Sequence, residues 1–196
     1  MILEGIVTSQ NARGSLNVAP MGPIVEPDMS GFLLRPFQTS TTFQNLKLNG
    51  CGVLHVVDDV LLIAQAAISR LETAPATFSA ITIPGQVLRS ACRWYEFRVE
   101  SLDDSQERSE IRVRVTHTGR IRDFFGFNRA KHAVIEAAIL ATRVHMIDAD
   151  DIRRQFAALR SPVEKTAGVH EQQAFELLNE YVTSAVATRS NDAGRR

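Results

Sequence analysis

The stretch "CRWYEFRVESLDDSQERSEIRVRVTHT", residues 92–118, decides the fold. In its first part Tyr95, Phe97 and Val99 alternate with Trp94, Glu96, Arg98 and Glu100. In its last part Ile111, Val113 and Val115 alternate with Arg112, Arg114 and Thr116. A period of two is the mark of a strand with one face buried and one face wet. The polar "LDDSQER" between the halves reads as a turn, so the stretch predicts an antiparallel hairpin whose charged faces pair across the strands.

Working outward toward the N-terminus, "GCGVLHVV" from Gly50 is an unbroken, valine-rich apolar run, as in a strand buried on both faces. "LEGIVTS", "GSLNVAP" and "SGFLLRPF" add three more strands, with "QNARG" as the turn between the first two. In "NVAPMGP", residues 17–23, the strand is expected to end at Val18, because two prolines and a glycine follow. Asp58 and Asp59 offer acceptors to the N–H groups of a short apolar helix, "DVLLIAQAAISR", expected to pack across a barrel mouth or a sheet face.

After Gly126 the period changes. "FNRAKHAVIEAAILATRVHM" sets Val134, Ile135, Ala138, Ile139 and Thr142 on one helical stripe, capped by Asn128. "DADDIRRQFAALR" is a second helix, predicted to stop at Ser161-Pro162, where "SPVE" reads as a new start. A last helix runs through "HEQQAFELLNEYVTSAV", and "TRSNDAGRR" reads as a frayed tail. The fold class is mainly β with α. A β domain over residues 1–126, best built as a small barrel, precedes a helical subdomain over 127–190 and a disordered tail over 191–196.

Composition narrows the function classes. The 196 residues are 44% hydrophobic, and 22 basic residues balance 22 acidic ones. Zero net charge speaks against a protein built to grip nucleic acid. Cys51 and Cys92 form no CxxC pair, so reduced buried thiols are expected rather than a zinc site. "MILEGIVTSQ" has no signal-peptide pattern, and "VLLIAQAAI" is too short to span a bilayer, so a cytoplasmic protein with no membrane contact is expected. The five histidines are scattered, and no nucleophile elbow, phosphate-binding loop or dinucleotide fingerprint is present.

Three places suit an anionic, planar ligand. In "RPFQTSTTFQN", Arg35 is followed by Thr39, Ser40, Thr41, Thr42 and Asn45. A guanidinium and a set of hydroxyls match phosphate oxygens, although the same hydroxyls also serve local turn bonds. In "GFNRAKHAVIE", Arg129 and Lys131 stand in a first helical turn, where the dipole prefers negative charge. An anion at that helix start accounts for them, and so do side chains simply turned to water. The peptide Asn17, Val18, Ala19, Pro20, Met21, Gly22 is either a plain corner or a stiff backbone lying along a heterocycle. Phe124, Phe125 and Phe127 either cover such a ring or belong to the core. FMN fits the set, its phosphate on Arg35 and the hydroxyls and its ring along residues 17–22.

On "NVAPMGP", "RPFQTSTTFQNL" and "GFNRAKHAVIEAAILATR" the chain resembles the family called domain of unknown function 447, from residue 3 to about 190. The resemblance implies an FMN-binding split barrel with an extra helical C-terminal part, akin to the flavin-reductase and pyridoxamine-phosphate-oxidase-like group. It implies a homodimer with FMN in a groove at the interface, and an unknown small-molecule substrate. It carries cofactor contact to residues 17–22, Arg35, Ser40, Thr41, Thr42 and Asn45, and less directly to Asn128 and Arg129. His55 departs from the asparagine of many relatives. It is either near the flavin or a strand residue with a satisfied imidazole. The implied activity is an FMN oxidoreductase, linked by association to pterin-dependent one-carbon chemistry. Standing beside it are a non-redox flavin or phosphate-ligand module, a deazaflavin-dependent reductase, and an interaction protein without cofactor. No catalytic residue is assigned; His117 and Arg129 are those worth testing as proton-transfer groups.

Overall fold

In chain order the elements are β1 (Gly5–Gln10), β2 (Leu16–Met21), β3 (Ile24–Val25), β4 (Gly31–Leu34), α1 (Thr41–Asn49), β5 (Cys51–Val56), α2 (Val60–Ala67), β6 (Thr77–Ser79), β7 (Gln86–Leu88), β8 (Arg93–Asp103), β9 (Glu110–Arg120), α3 (Arg129–Thr142), α4 (Ala149–Thr166) and α5 (Val169–Ala193). They come from a computed structural model that describes residues 1–193. They form two units, one of residues 1–58 and 74–124, the other of residues 59–73 and those from 125 on.

The first unit is built on a seven-stranded antiparallel sheet in the order β2-β1-β5-β8-β9-β4-β3. Its two edge strands, β2 and β3, are joined by Gly22 and Pro23 alone. If flat, such a sheet would hold its edges six spacings apart, about 29 Å. Three peptide steps from Met21 to Ile24 reach at most about 11 Å. The sheet must therefore curl, and it forms a half-barrel. The segment ahead of β1 follows the same curl: the Leu3 N–H donates to the Pro23 carbonyl, and the Val25 N–H to that of Met1.

This explains "NVAPMGP". The strand does not end at Val18 as expected; β2 runs to Met21, with Pro20 opposite Ile6. A strand tolerates proline on an edge, where its missing N–H leaves no ladder bond broken. The break falls at Gly22, where an added Cβ would lie 2.9 Å from Ile2 Cγ2.

Inside the curl pack Val7, Phe32, Leu34, Leu54, Phe97, Ile111 and Val113. The helix α1 adds Phe43 and Leu46 to this core. No helix is expected there from the sequence, where anion-binding groups and local turn bonds both suit the hydroxyls, although Ser40 three residues before Phe43 is a cap signature. The Phe43 N–H does donate to Ser40 Oγ, at 3.2 Å. The β5 strand is buried on both faces, with Leu54 toward this core and Cys51 and Val53 toward a second cluster with Ile83, Val87 and Trp94. Both cysteines are buried free thiols.

The face of β8 read as charged is partly interior. Trp94 and Glu96 are 8% and 0% exposed, because the unforeseen β6–β7 hairpin and the segment after β6 cover them. Glu96 accepts from the N–H groups of Ile81 and Thr82, the Thr82 hydroxyl and Trp94 Nε1. Burial alone would raise its carboxyl, and these donors outweigh it and hold the group below its ordinary value. Gly119 lies opposite Trp94, whose ring would sit 2.0 Å from a Cβ there.

The second unit gathers α2, α3, α4 and α5. The apolar helix α2 groups with the helices of this unit and packs against α3 and α5. The buried side of α3 is Ala130, Ala133, Val134, Ala137, Ala138, Leu140 and Ala141, an alanine-rich face that keeps Val134 and Ala138 of the expected stripe and is rotated away from Ile135, Ile139 and Thr142. α4 does not stop at Ser161. It continues through Pro162 to Thr166 and buries Ile152, Phe156 and Val163 along one side. That burial offsets the backbone bond the proline gives up. The tail expected over 191–196 begins as helix through Ala193; residues 194–196 lie outside the described ones. Among the described residues, no helix is long and apolar enough to cross a membrane.

Glu96→Gln tests the carboxylate clamp. An amide group turned toward converging N–H and O–H donors leaves some of them unsatisfied, at a cost of about 1–3 kcal/mol. The expected result is a lower urea midpoint with an unchanged slope; an unchanged midpoint would show that the clamp adds nothing.

Candidate functional site

Of the predicted residues of the first unit, Asn17, Thr42 and Asn45 come together where β2 lies beside α1. Asn11 makes the turn between β1 and β2: its Oδ1 accepts from the N–H groups of Arg13 and Ser15. That turn sets Ser9 opposite Asn17. Asn17 Nδ2 donates to Thr42 Oγ1 at 3.0 Å and to Ser9 Oγ at 3.3 Å. Asn45 Nδ2 donates to the same Ser9 Oγ at 3.1 Å. Ser9, Thr42 and Asn45 are buried, so these bonds run in an interior that strengthens them. Ser9 is not among the predicted residues; it stands between Thr8 and Gln10 in the polar second half of β1, and nothing local singles it out.

The predicted set therefore divides by role. Thr42 and Asn45 face inward and tie α1 to the β1–β2 hairpin. Ser40 is the N-cap of α1, and Thr41 is exposed at its first position. No acidic residue stands in that first turn. The N–H groups of Thr41 and Thr42 precede the first ones taken up by the cap, those of Phe43 and Gln44. A helix start of this kind presents donors and a positive dipole end. Arg35 is exposed, five residues before the cap, and its guanidinium has no hydrogen-bond or ion-pair partner among the described residues. Asn17 to Met21 are half-buried at every position, and β2 is paired on one side only.

The second motif behaves differently. Asn128 caps α3 by accepting from the Lys131 N–H, and its Nδ2 donates to the Thr166 carbonyl. Thr166 Oγ1 in turn accepts from the Ala130 N–H. Lys131 Nζ pairs with Glu171 at 2.8 Å, and Glu171 also accepts from the Gly168 N–H. The cation that looked misplaced at a helix start already has its anion within the fold, so an external anion is not needed to explain it. Arg129 remains exposed. Phe124, Phe125 and Phe127 are exposed at 46%, 83% and 95%, so they are not core.

His55 is fully buried in β5 and satisfied at both nitrogens. The Leu88 N–H donates to Nε2 at 3.1 Å, which places the proton on Nδ1, 3.1 Å from the Ile6 carbonyl. Burial pushes its pKa down to about 4, against a smaller opposing effect of the Ile6 carbonyl. Of the two sequence-based readings of His55, the satisfied strand imidazole is the one the structure shows. His117 lies opposite Glu96 and 6.0 Å from the Trp94 ring, on the face covered by the β6–β7 hairpin.

A curled antiparallel half-barrel carrying helices is the flavin-reductase-like split-barrel fold. The 2-nitrobenzoate 2-nitroreductase NbaA of Pseudomonas fluorescens shares it at 16% identity and TM-score 0.52, over 60% of this chain and 64% of that one. Component B of nitrilotriacetate monooxygenase from Bacillus cereus shares it at 18% identity and TM-score 0.51, over 61% and 70%. The chain itself belongs to the family of proteins of unknown function DUF447: residues 3–122 match its N-terminal domain and residues 128–180 its C-terminal part. The FMN-bound DUF447 protein MM1853 of Methanosarcina mazei is 23% identical, with TM-score 0.79, over 92% of this chain and 94% of that one. No curated protein matches.

The buried imidazole predicts an acid sensitivity. His55 takes up a proton near pH 6.5 when unfolded and near pH 4 when folded. Between those values the unfolded chain binds the proton that the folded chain excludes, so stability falls as pH drops. The loss down to pH ~4.5 is about 2–3 kcal/mol from this group. Denaturant titrations of the wild type and of His55→Gln at pH ~7 and ~4.5 measure it; the variant should lose less on acidification. Equal losses would show that the ring is already charged in the fold.

Proposed function

We propose that this chain is an FMN-binding flavoprotein that works as an oxidoreductase, with the cofactor held by the β2 edge and the α1 start. The observation that carries the reading is the N-terminus of α1. It combines hydroxyls of Ser40 and Thr41, open N–H groups, no first-turn acid and the unpartnered Arg35 shortly upstream. These are the donors a phosphate monoester takes. The half-buried Asn17, Val18, Ala19, Pro20, Met21 and Gly22 supply a stiff wall for the ring system. Thr42 and Asn45 act behind this surface by fixing Asn17 and Ser9. In the helical unit Arg129 offers open donors, whereas the amide of Asn128 serves its own helix cap. The FMN-bound family member from Methanosarcina mazei supports the choice of cofactor. The one-sided pairing of β2 supports a homodimer, since an unpaired edge strand is a ready template for another chain.

Bound FMN supplies the hydride and electron chemistry; the residues of this chain position it and set its surroundings. Arg35 would neutralise phosphate charge, Ser40 and Thr41 would donate to its oxygens, and the β2 backbone would offer the ring system a stiff wall.

The first test is the visible spectrum of the purified protein and chromatography of the chromophore released on denaturation. Released FMN supports the assignment, whereas a deazaflavin, identified by its own absorbance and fluorescence, would replace it. Arg35→Ala should weaken FMN binding about 10-fold to 100-fold and leave riboflavin, which lacks the phosphate, nearly unaffected. FMN held as tightly by Arg35→Ala as by the wild type would overturn the phosphate assignment. Reduction of the bound flavin by a nicotinamide donor, followed by reoxidation on an acceptor, separates an oxidoreductase from a flavin-holding module.

A further inference from the structure

Two arginines in the long hairpin stand directly opposite each other at two places. At the first, Arg98 faces Arg114. There both charges are provided for: Arg114 pairs with Glu100, and Arg98 Nη2 donates to the Thr82 carbonyl at 3.3 Å. At the second, Arg93 faces Arg120. Arg120 pairs with the exposed Asp123, and Arg93 has no hydrogen-bond or ion-pair partner among the described residues. Like charges directly opposite on paired strands repel. The second pair borders a groove of about 430 Å³ between the ends of β8 and β9 and the turn from β3 to β4.

We propose that this groove is a binding site for a small organic acid, a carboxylate or a phosphate ester, held between Arg93 and Arg120. None of its lining residues belongs to the β2 and α1 set, so the site is separate from the one assigned to FMN. Paired guanidinium forks match the oxygens of such a group, and the ligand supplies the counter-charge that Arg93 lacks. Tyr95 and Thr118, themselves opposite each other in the ladder, add hydroxyls to the wall. Asp28 forms the far lip. Its carboxylate accepts from the Ser30 N–H at 3.0 Å and from the Ser30 hydroxyl at 2.8 Å, and it makes no ion pair with either arginine. It is therefore directed to the turn, and the arginine side of the groove keeps its positive charge.

The test is a titration of the full chain with inorganic phosphate and, separately, succinate, followed by the amide shifts of Thr118 and Gly119. Saturable shifts at these amides are expected with at least one probe, and which one identifies the acid. Arg93→Gln should weaken the response about ten-fold, and Arg93→Lys, which keeps the charge without the fork, should recover only part of it. Arg35→Ala should leave it intact, so a failure of the FMN assignment does not touch this one. Absence of saturable shifts with both probes would overturn the proposal. So would shifts lost in Arg35→Ala and kept in Arg93→Gln, which would place the anion at the α1 start. Unchanged thermal melts of the variants keep loss of binding distinct from loss of fold.

Discussion

The whole barrel unit depends on one covalent constraint. Two residues, Gly22 and Pro23, join strands that stand at opposite edges of a seven-stranded sheet. Chain reach then forbids a flat sheet, and curling creates an inside. The apolar residues that alternate along β8 and β9 acquire a shared interior only because of this closure. The same closure leaves β2 as an edge paired on one side, its backbone stiffened by Pro20 and its position set by Asn17. Fold and candidate site thus trace to a single short stretch.

Much of this was legible because it rests on periodicity. The β8–β9 hairpin, the doubly buried β5 and the cap at Asn128 each follow from patterns within a dozen residues. The failures share a cause: they turn on what covers a surface. Trp94 and Glu96 read as an outer face because the sequence does not announce that residues 77–88 fold over them. Pro162 read as a stop because local propensity opposes it, whereas Phe156 and Val163 bury the same side of one continuous helix. Proline in β2 read as a break for the same reason. Tertiary burial overrides a local cost of a few kcal/mol when the flanking residues have somewhere to go.

The candidate site was legible as a set of residues and illegible as an arrangement. "RPFQTSTTFQN" named the polar groups, yet nothing in it showed that Thr42 and Asn45 turn inward and Ser40 and Thr41 remain at the helix end. That division follows from helix geometry once Phe43 and Leu46 are buried, since the inward side of a nine-residue helix takes its neighbours with it. The helix at Asn128 shows the converse. Its cations looked like half of an anion site, and the missing half, Glu171, lies forty residues on from Lys131 in the chain.

Polar groups in this protein sort cleanly by burial. His55, Glu96, Thr42 and Asn45 are almost wholly removed from water, and each is met by donors or acceptors of the fold. An unmatched group at such depth costs about 1–3 kcal/mol, which a small barrel cannot carry many times over. Charges without partners, Arg35, Arg93 and Arg129 among them, stand instead at the surface, where water tolerates them and a ligand can reach them. A network that joins Ser9, Asn17, Thr42 and Asn45 gives β2 and α1 one rigid support, so the β2 edge and the helix end proposed to hold the cofactor keep a fixed separation. Preorganisation of that kind lowers the ordering cost of binding. It also explains why buried polar residues behind the candidate site need not touch a ligand to matter: they set the distance between the residues proposed to do so.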